Sequence, residues 1–259
     1  MAMEDRVSGI ENNSMYGSGD YDVFQSASDG EFKANEFIRL FSKYDQEHFN
    51  LASYADVGCG SGVVVERIAE SLLSRGHNLS KISGYDVSPH VKTLAHEKIE
   101  FNHMNFLETK GFYDLVTLFD VFEHVPDPLN FVREVATKCS VLACHIPLDD
   151  AVWVKLRGLN VSKLADPGHL VCLDAAAAQN LLAYSGLRLF DASYTLGFKA
   201  PSGRRSKGQK LMYPLRSGLS WISPWLLSVT LGGTSLMSLA LTPEGLRRYG
   251  DAFVHKGHQ

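Results

Sequence analysis

Cysteine is scarce in this chain, and what there is builds no framework. Cys59, Cys139, Cys144 and Cys172 include no C-x-x-C pair, which argues against a disulfide scaffold; reduced thiols of a cytoplasmic protein are the simplest expectation. A strong charge of one sign is missing too. The formal net charge of −4 gives no general pull toward nucleic acid, and no aromatic-interleaved basic face supplies a local one, so no nucleic-acid partner is expected. There is no internal repeat and no low-complexity tract. The opening stretch, residues 1–22, is polar and acidic without an apolar centre, unlike a secretory leader. One segment, between Arg216 and Glu244, carries no charge at all. Pro224, Gly232, Gly233 and many serines and threonines keep its hydropathy below that of a membrane span.

What is present is an alternation of strands and helices. Residues up to about Gly30 read as an arm. Phe32 to Tyr44 has helical apolar spacing. Leu51–Val57, Ile82–Val87, Tyr113–Phe119 and Ser140–Ile146 read as strands. Val63–Leu73, Pro89–Ile99 and Pro128–Thr137 read as the helices between and after them. Further on, Leu173–Tyr184 is an alanine-rich helix, Leu187–Tyr194 a strand, Thr195–Ser217 a basic, turn-rich stretch and Ser235–Leu241 a last buried strand. A short helix or tail begins at Glu244. Such alternation implies an α/β domain with a mostly parallel sheet and helices on both faces. Its ligands are expected beyond the carboxyl ends of the strands, in the loops after Val57, Val87 and Phe119.

Those loops hold the strongest motif. Asp56-Val57-Gly58-Cys59-Gly60-Ser61-Gly62 follows a strand and opens a helix. Glycines there permit positive φ and a close ligand approach, and the helix behind presents unpaired N–H groups. Asp86 ends the next strand, at the spacing where a carboxylate accepts from both hydroxyls of a ribose. A nicotinamide dinucleotide would need G-x-G-x-x-G/A; Gly58 and Gly60 match, but the third position falls on Val63.

The D-x-G-x-G-x-G loop resembles that of the class I S-adenosylmethionine-dependent methyltransferases, in the small-molecule branch that includes ubiquinone and natural-product enzymes. The similarity extends through Phe101–Glu108 and through Phe112-Tyr113-Asp114-Leu115-Val116 to Glu123-His124-Val125-Pro126-Asp127-Pro128. It covers about residues 54–147 well and fades through His169-Leu170 and Gly186-Leu187. It implies a Rossmann-like fold with a seven-stranded sheet. It also implies S-adenosylmethionine lying along Asp56, Gly58, Cys59, Gly60, Gly62, Asp86, Val87, Asn105, Phe106, Phe119 and Asp120. Asn105 stands where the family usually has an acid near the adenine amine, and its oxygen can still accept. Phe106 packs on the adenine face in that reading and in the core in the plainer one. Residues 31–259 are then one domain, with a cofactor core at about 50–147 and an elaborated substrate side at 148–259. The implied activity is methyl transfer to a small molecule through O, N or C; the alternative is an adenosyl-cofactor binder that regulates or scaffolds without turnover.

The cofactor is already activated by its charge, so the protein's tasks are alignment and removal of a proton from the acceptor. Histidine suits the second task near neutral pH. His124 after the fourth family strand, His145 at the end of the fifth and His169 before the Leu173 helix are the candidates, each with a packing role as the plain reading. Glu123 and Asp120 read as structural or cofactor-side, Asp149 and Asp150 as a solvated turn. No ligand spacing for a metal stands out, so none is expected. Residues 199–228 have two readings. Lys199, Arg204, Arg205, Lys207, Lys210 and Arg216 precede Leu219-Ser220-Trp221-Ile222-Ser223-Pro224-Trp225-Leu226-Leu227. They form either a solvated insertion and helix that close a substrate pocket, or a contact with a membrane surface carrying a lipid-linked substrate.

Overall fold

A computed structural model describes residues 23–44, 48–165, 168–201 and 207–254. Most of the expected N-terminal arm, and Arg204 and Arg205 of the basic stretch, lie outside them. Helix α1 (Val23–Phe41) starts inside the stretch read as an arm. Gly30 already packs there, since a Cβ on it would lie 3.5 Å from Val63 and Val64. Ala34, Phe37, Leu40 and Phe41 are buried beneath it.

The sheet has seven strands in the order β3-β2-β1-β4-β5-β7-β6. They are β1 (Ser53–Val57), β2 (Lys81–Asp86), β3 (Glu100–His103), β4 (Tyr113–Phe119), β5 (Cys139–Pro147), β6 (Arg188–Thr195) and β7 (Ser235–Leu241). The first five pair in parallel, and β7 runs antiparallel to both of its neighbours. The strand run from β1 to β4 explains the glycine loop's position. Parallel neighbours need crossovers, and those returning from α2 (Val63–Ser74) put every β-to-α turn on one rim.

Alternation along the strands feeds two cores. Leu142, Cys144 and Ile146 of β5 face α3 (Pro128–Ala136) and α6 (Ala175–Tyr184), whereas Val141 and Ala143 face α1, α2 and α9 (Pro243–Val254). His145 shares the parity of the second set and is buried. Each fully buried Phe or Leu in these layers contributes about 1.5–3 kcal/mol. Asp174 caps α6 through Ala177 N–H at 2.7 Å, so that helix begins at Ala175.

Two expectations change. Pro89–Ile99 is not a helix but a single 3-10 turn over Pro89–Thr93, after which Leu94 is extended. Only Val91 of that turn is buried and residues 95–98 are exposed, so no apolar face repays helix formation. The stretch read as turn-rich holds α7 (Lys207–Ile222), which tolerates Pro214 in its interior and is followed by α8 (Pro224–Thr230). Two short helices, α4 (Val152–Leu156) and α5 (Leu159–Ala165), lie between β5 and α6. No described helix is long and apolar enough to cross a membrane.

Candidate active site

The loop after β1 is held open by its glycines. Gly58, Gly60 and Gly62 have φ of 75°, 48° and 83°, and the N–H groups of Gly58 and Cys59 both donate to Tyr85 O on β2. Cys59 is buried beside Gly84, and burial pushes its thiol up, away from the thiolate form. Asp86 accepts from Gly60 N–H and Ser88 N–H, both at 2.7 Å. One carboxylate thus braces the loop and the turn after β2 while staying partly accessible, and Val87 beside it is exposed at the rim.

Asp56 sits beneath the loop. Its Oδ1 accepts from the Thr117 hydroxyl at 2.5 Å, and its buried Oδ2 has no partner. Burial, opposed by the Thr117 bond and helped by the nearby Asp86 charge, pushes its pKa up to about 7. A buried carboxyl with one orphaned oxygen under a cradle of positive-φ glycines fits a ligand that brings a cation or donor to the loop.

Asn105 caps the 3-10 turn Phe106–Glu108, its Oδ1 accepting from Leu107 N–H at 3.0 Å. The amide oxygen therefore already serves the backbone, though its second lone pair stays open. Phe106 is fully buried, its ring edge-on to Tyr85 and tilted against Tyr113. The ring is thus part of the core, as in the plainer of its two readings.

Beyond β4 the chain changes direction on Asp120, a non-glycine residue with φ of 52°. Its carboxylate takes Lys33 of α1 at 2.7 Å and His145 Nδ1 at 2.6 Å. Burial would raise the Asp120 carboxyl; Lys33 and His145 outweigh it and hold it well below the usual range. The other His145 nitrogen lies 2.8 Å from the Thr195 hydroxyl. With both nitrogens engaged under α1, and Phe119 against its ring, His145 belongs to the wall and not to a substrate surface.

The other two histidines meet. The rings of His124 and His169 are T-shaped, with centroids 4.9 Å apart. His124 Nδ1–H donates to Gly168 O at 3.1 Å, and burial chiefly lowers its pKa. His169 Nδ1–H donates to Asp149 Oδ2 at 2.6 Å, and Lys163 of α5 holds the other oxygen of that carboxylate. Asp149 is therefore not part of a solvated turn. It is buried, and although burial alone would raise its carboxyl, His169 and Lys163 bring it below the usual range. Asp150, partly exposed, pairs with Lys155 at 2.6 Å. Beside the histidines, Glu123 is buried with no hydrogen bond to either carboxyl oxygen, one of which lies 3.9 Å from His124 Nε2; burial first, and then the Asp120 charge, raise its pKa. Ligand atoms of Glu123, His124 and His169 lie within 4.8 Å of one another. Sequence spacing gives no hint of that metal-capable set, because His169 reaches it only through the fold-back of α4 and α5.

The two halves of the site touch. A Cβ on Gly58 would lie 2.5 Å from Val121 Cγ2, so the glycine loop abuts the turn that carries Glu123 and His124. A parallel sheet with a β7 reversal, a glycine cradle over β1 and an acid ending β2 define the methyltransferase class of the Rossmann-like folds. The family model described as a methyltransferase domain matches residues 30–191, and the chain belongs to that family. Among curated relatives it is similar to the ubiquinone biosynthesis O-methyltransferases of Hydrogenovibrio crunogenus and Nitrosospira multiformis. It is 30% identical to the first over 114 residues, which are 39% of this chain and 42% of that one. It is 32% identical to the second over 120 residues, 41% and 47% of the two chains. The chain thus spans less than half the length of these relatives. Of solved structures, the plantazolicin methyltransferase BpumL, bound to a substrate analogue and S-adenosylhomocysteine, superposes with a TM-score of 0.55 at 19% identity, over 92% of this chain and 96% of that one. The magnesium protoporphyrin IX methyltransferase of Synechocystis PCC 6803 gives 0.50 at 15% identity, covering 82% and 83%. Both likenesses are of fold.

Proposed function

We propose that the chain binds S-adenosylmethionine along Asp56, the glycine loop and Asp86 and transfers a methyl group to a hydroxyl of a small molecule. The abutment of Gly58 on Val121 carries this reading, because it brings a nucleoside-type cradle against a turn bearing histidines. When bound, the cofactor supplies an electrophilic methyl group on a sulfonium. The loop amides and Asp56 hold the amino-acid end, and the partly accessible Asp86 carboxylate accepts from the ribose hydroxyls. Asp149 fixes the His169 tautomer with the proton on Nδ1, so Nε2 is the nitrogen that receives the acceptor's hydroxyl proton as the oxygen takes the methyl group. The names of the curated relatives agree with an oxygen acceptor.

Titration calorimetry with S-adenosylmethionine and S-adenosylhomocysteine, followed by product detection across a panel of phenols and alcohols, tests the proposal. Binding and homocysteine-nucleoside release that depend on a hydroxyl acceptor are expected. No binding of either ligand would sink it, and binding without turnover on any acceptor would favour a regulatory binder.

The Glu123 carboxyl, free of hydrogen bonds and close to both histidines, favours one alternative to the His169 base: Glu123, His124 and His169, the last through Nε2, would hold a divalent cation, which would lower the pKa of an acceptor hydroxyl bound to it. Dialysis against EDTA would then abolish turnover, and Mg²⁺ or Zn²⁺ would restore it. Full turnover in EDTA leaves the His169–Asp149 base alone as the mechanism.

A further inference from the structure

Residues 192–243 contain no acid and six basic side chains, Lys199, Arg204, Arg205, Lys207, Lys210 and Arg216. They lie past the stretch, 30–191, that the family model matches. Within them, α7 and α8 turn five large apolar side chains outward, while Leu227 of α8 is buried. Leu211, Leu215 and Ile222 recur at helical spacing on α7 and are 78%, 56% and 79% exposed, with Trp221 at 87% and Trp225 at 58%. Polar groups share the inward side with Leu227. Arg216 donates to Leu231 O at 2.9 Å, and Ser220 and Ser228 are buried. Ser223 caps α8 and Pro224 opens it, so Trp221 and Trp225 flank the break between the two helices. A water-facing helix has its apolar stripe against the core; here α7 turns Leu211, Leu215, Trp221 and Ile222 to the outside, and with Trp225 they expose more large apolar surface than soluble helices carry.

We infer that this face docks on an anionic lipid surface. The charge decides the occupant. The exposed Lys199 and Lys210 flank the patch, and no acid in the segment competes for them. A second copy seated on the same face would set the exposed Lys199 and Lys210 against their own counterparts with no acid of the segment as counter-charge, whereas acidic headgroups satisfy them. Indole rings beside a helix break suit the boundary between headgroups and acyl chains. The mode is lateral, since α7 has 16 residues, Pro214 among them, and is too short to span. The inference is independent of the proposed reaction, because it concerns binding alone.

The test is flotation of the full chain with phosphatidylcholine vesicles, with and without phosphatidylglycerol, at low and high salt. Binding to the anionic vesicles at low salt is expected, at least about tenfold weaker on neutral vesicles and weakened again by salt. The Trp221→Ser/Trp225→Ser variant should lose at least about tenfold in binding while keeping its melting temperature. Lys210→Glu should weaken only the anionic binding. Absence of flotation, or equal binding to both vesicles, would overturn the inference. So would a concentration-dependent dimer in sedimentation that the tryptophan double variant abolishes, which would assign the face to a second copy.

Discussion

His169 Nδ1 lies 2.6 Å from Asp149 Oδ2, and Lys163 holds the other oxygen of the same carboxylate. The pair puts the proton on Nδ1 and leaves Nε2 as the nitrogen on which the proposed mechanism rests. His169→Ala is expected to lower kcat about 10²- to 10⁴-fold. Asp149→Asn should do much of the same damage, because an amide no longer stabilises the imidazolium. Neither variant should change S-adenosylmethionine affinity, since both residues lie beyond the glycine loop. Turnover assays paired with calorimetry separate the effects. Near-normal kcat in His169→Ala would leave alignment as the whole mechanism.

This pairing also marks where sequence reading ends. The cofactor half is written in contiguous residues, Asp56 to Gly62 with Asp86 closing the next strand, and local geometry follows from residue type. The order and direction of the strands follow from the alternation. The candidate catalytic half depends on chain segments that return from far away. Asp149 reads as a turn residue until α4 and α5 fold back and set Lys163 and His169 upon it. His145 reads as a rim residue until strand parity turns it under α1, where Asp120 and Thr195 take both nitrogens. Phe106 shows the same limit, because its burial against Tyr85 and Tyr113 comes from tertiary packing. Helix α7 was hidden by its own inverted pattern, whose basic and turn-forming residues read as loop.

Asp56 makes stability depend on pH in an unusual direction. Its pKa is raised from 3.8 to about 7 in the folded chain, so between those values the folded state keeps a proton that the unfolded state releases. Stability is therefore lost as pH rises through this window and levels off above it. Three pH units at about 1.4 kcal/mol each set an upper figure of about 4 kcal/mol. Asp56→Asn should remove this slope and be the more stable protein at pH 8, while binding S-adenosylmethionine at least about tenfold more weakly for want of a carboxylate. Urea midpoints of both proteins at pH 5 and pH 8 check the first claim, and calorimetry checks the second. Parallel pH profiles would refute the assignment.

Lys33 ties α1 to the rim. Its ammonium meets Asp29 at 2.6 Å and Asp120 at 2.7 Å. Burial alone would lower its pKa; the two carboxylates outweigh burial and raise it. Lys33→Met leaves Asp120 with His145 as its remaining described side-chain partner and should cost about 1–3 kcal/mol, less than breaking a fully buried pair because Lys33 and Asp120 are half-buried. At Asp120 the backbone adds a second term, since φ is 52°. Asparagine accepts that left-handed conformation and alanine does not, so Asp120→Ala should be about 1 kcal/mol less stable than Asp120→Asn. Denaturant melts of the three variants decide it, and equal stability of the two Asp120 variants would mean the turn relaxes.

Gly58 joins the two halves of the site, and its replacement should harm both. A Cβ there would stand 2.5 Å from Val121 Cγ2 at a φ of +75°. The contact costs about 1–3 kcal/mol as overpacking, and the left-handed backbone about 1–2 kcal/mol more for a non-glycine residue. Gly58→Ala is therefore expected to lower the melting temperature by several degrees and to weaken S-adenosylmethionine binding, because the N–H groups of Gly58 and Cys59 are held to Tyr85 O by the same loop geometry. Adding Val121→Ala removes the contact and leaves the backbone term, so the double variant should regain only part of the loss. If Gly58→Ala melts and binds like the parent, the loop does not have the shape that carries the proposed function. If the double variant recovers fully, the close contact with the His124 turn, and not the positive φ, is what glycine serves there.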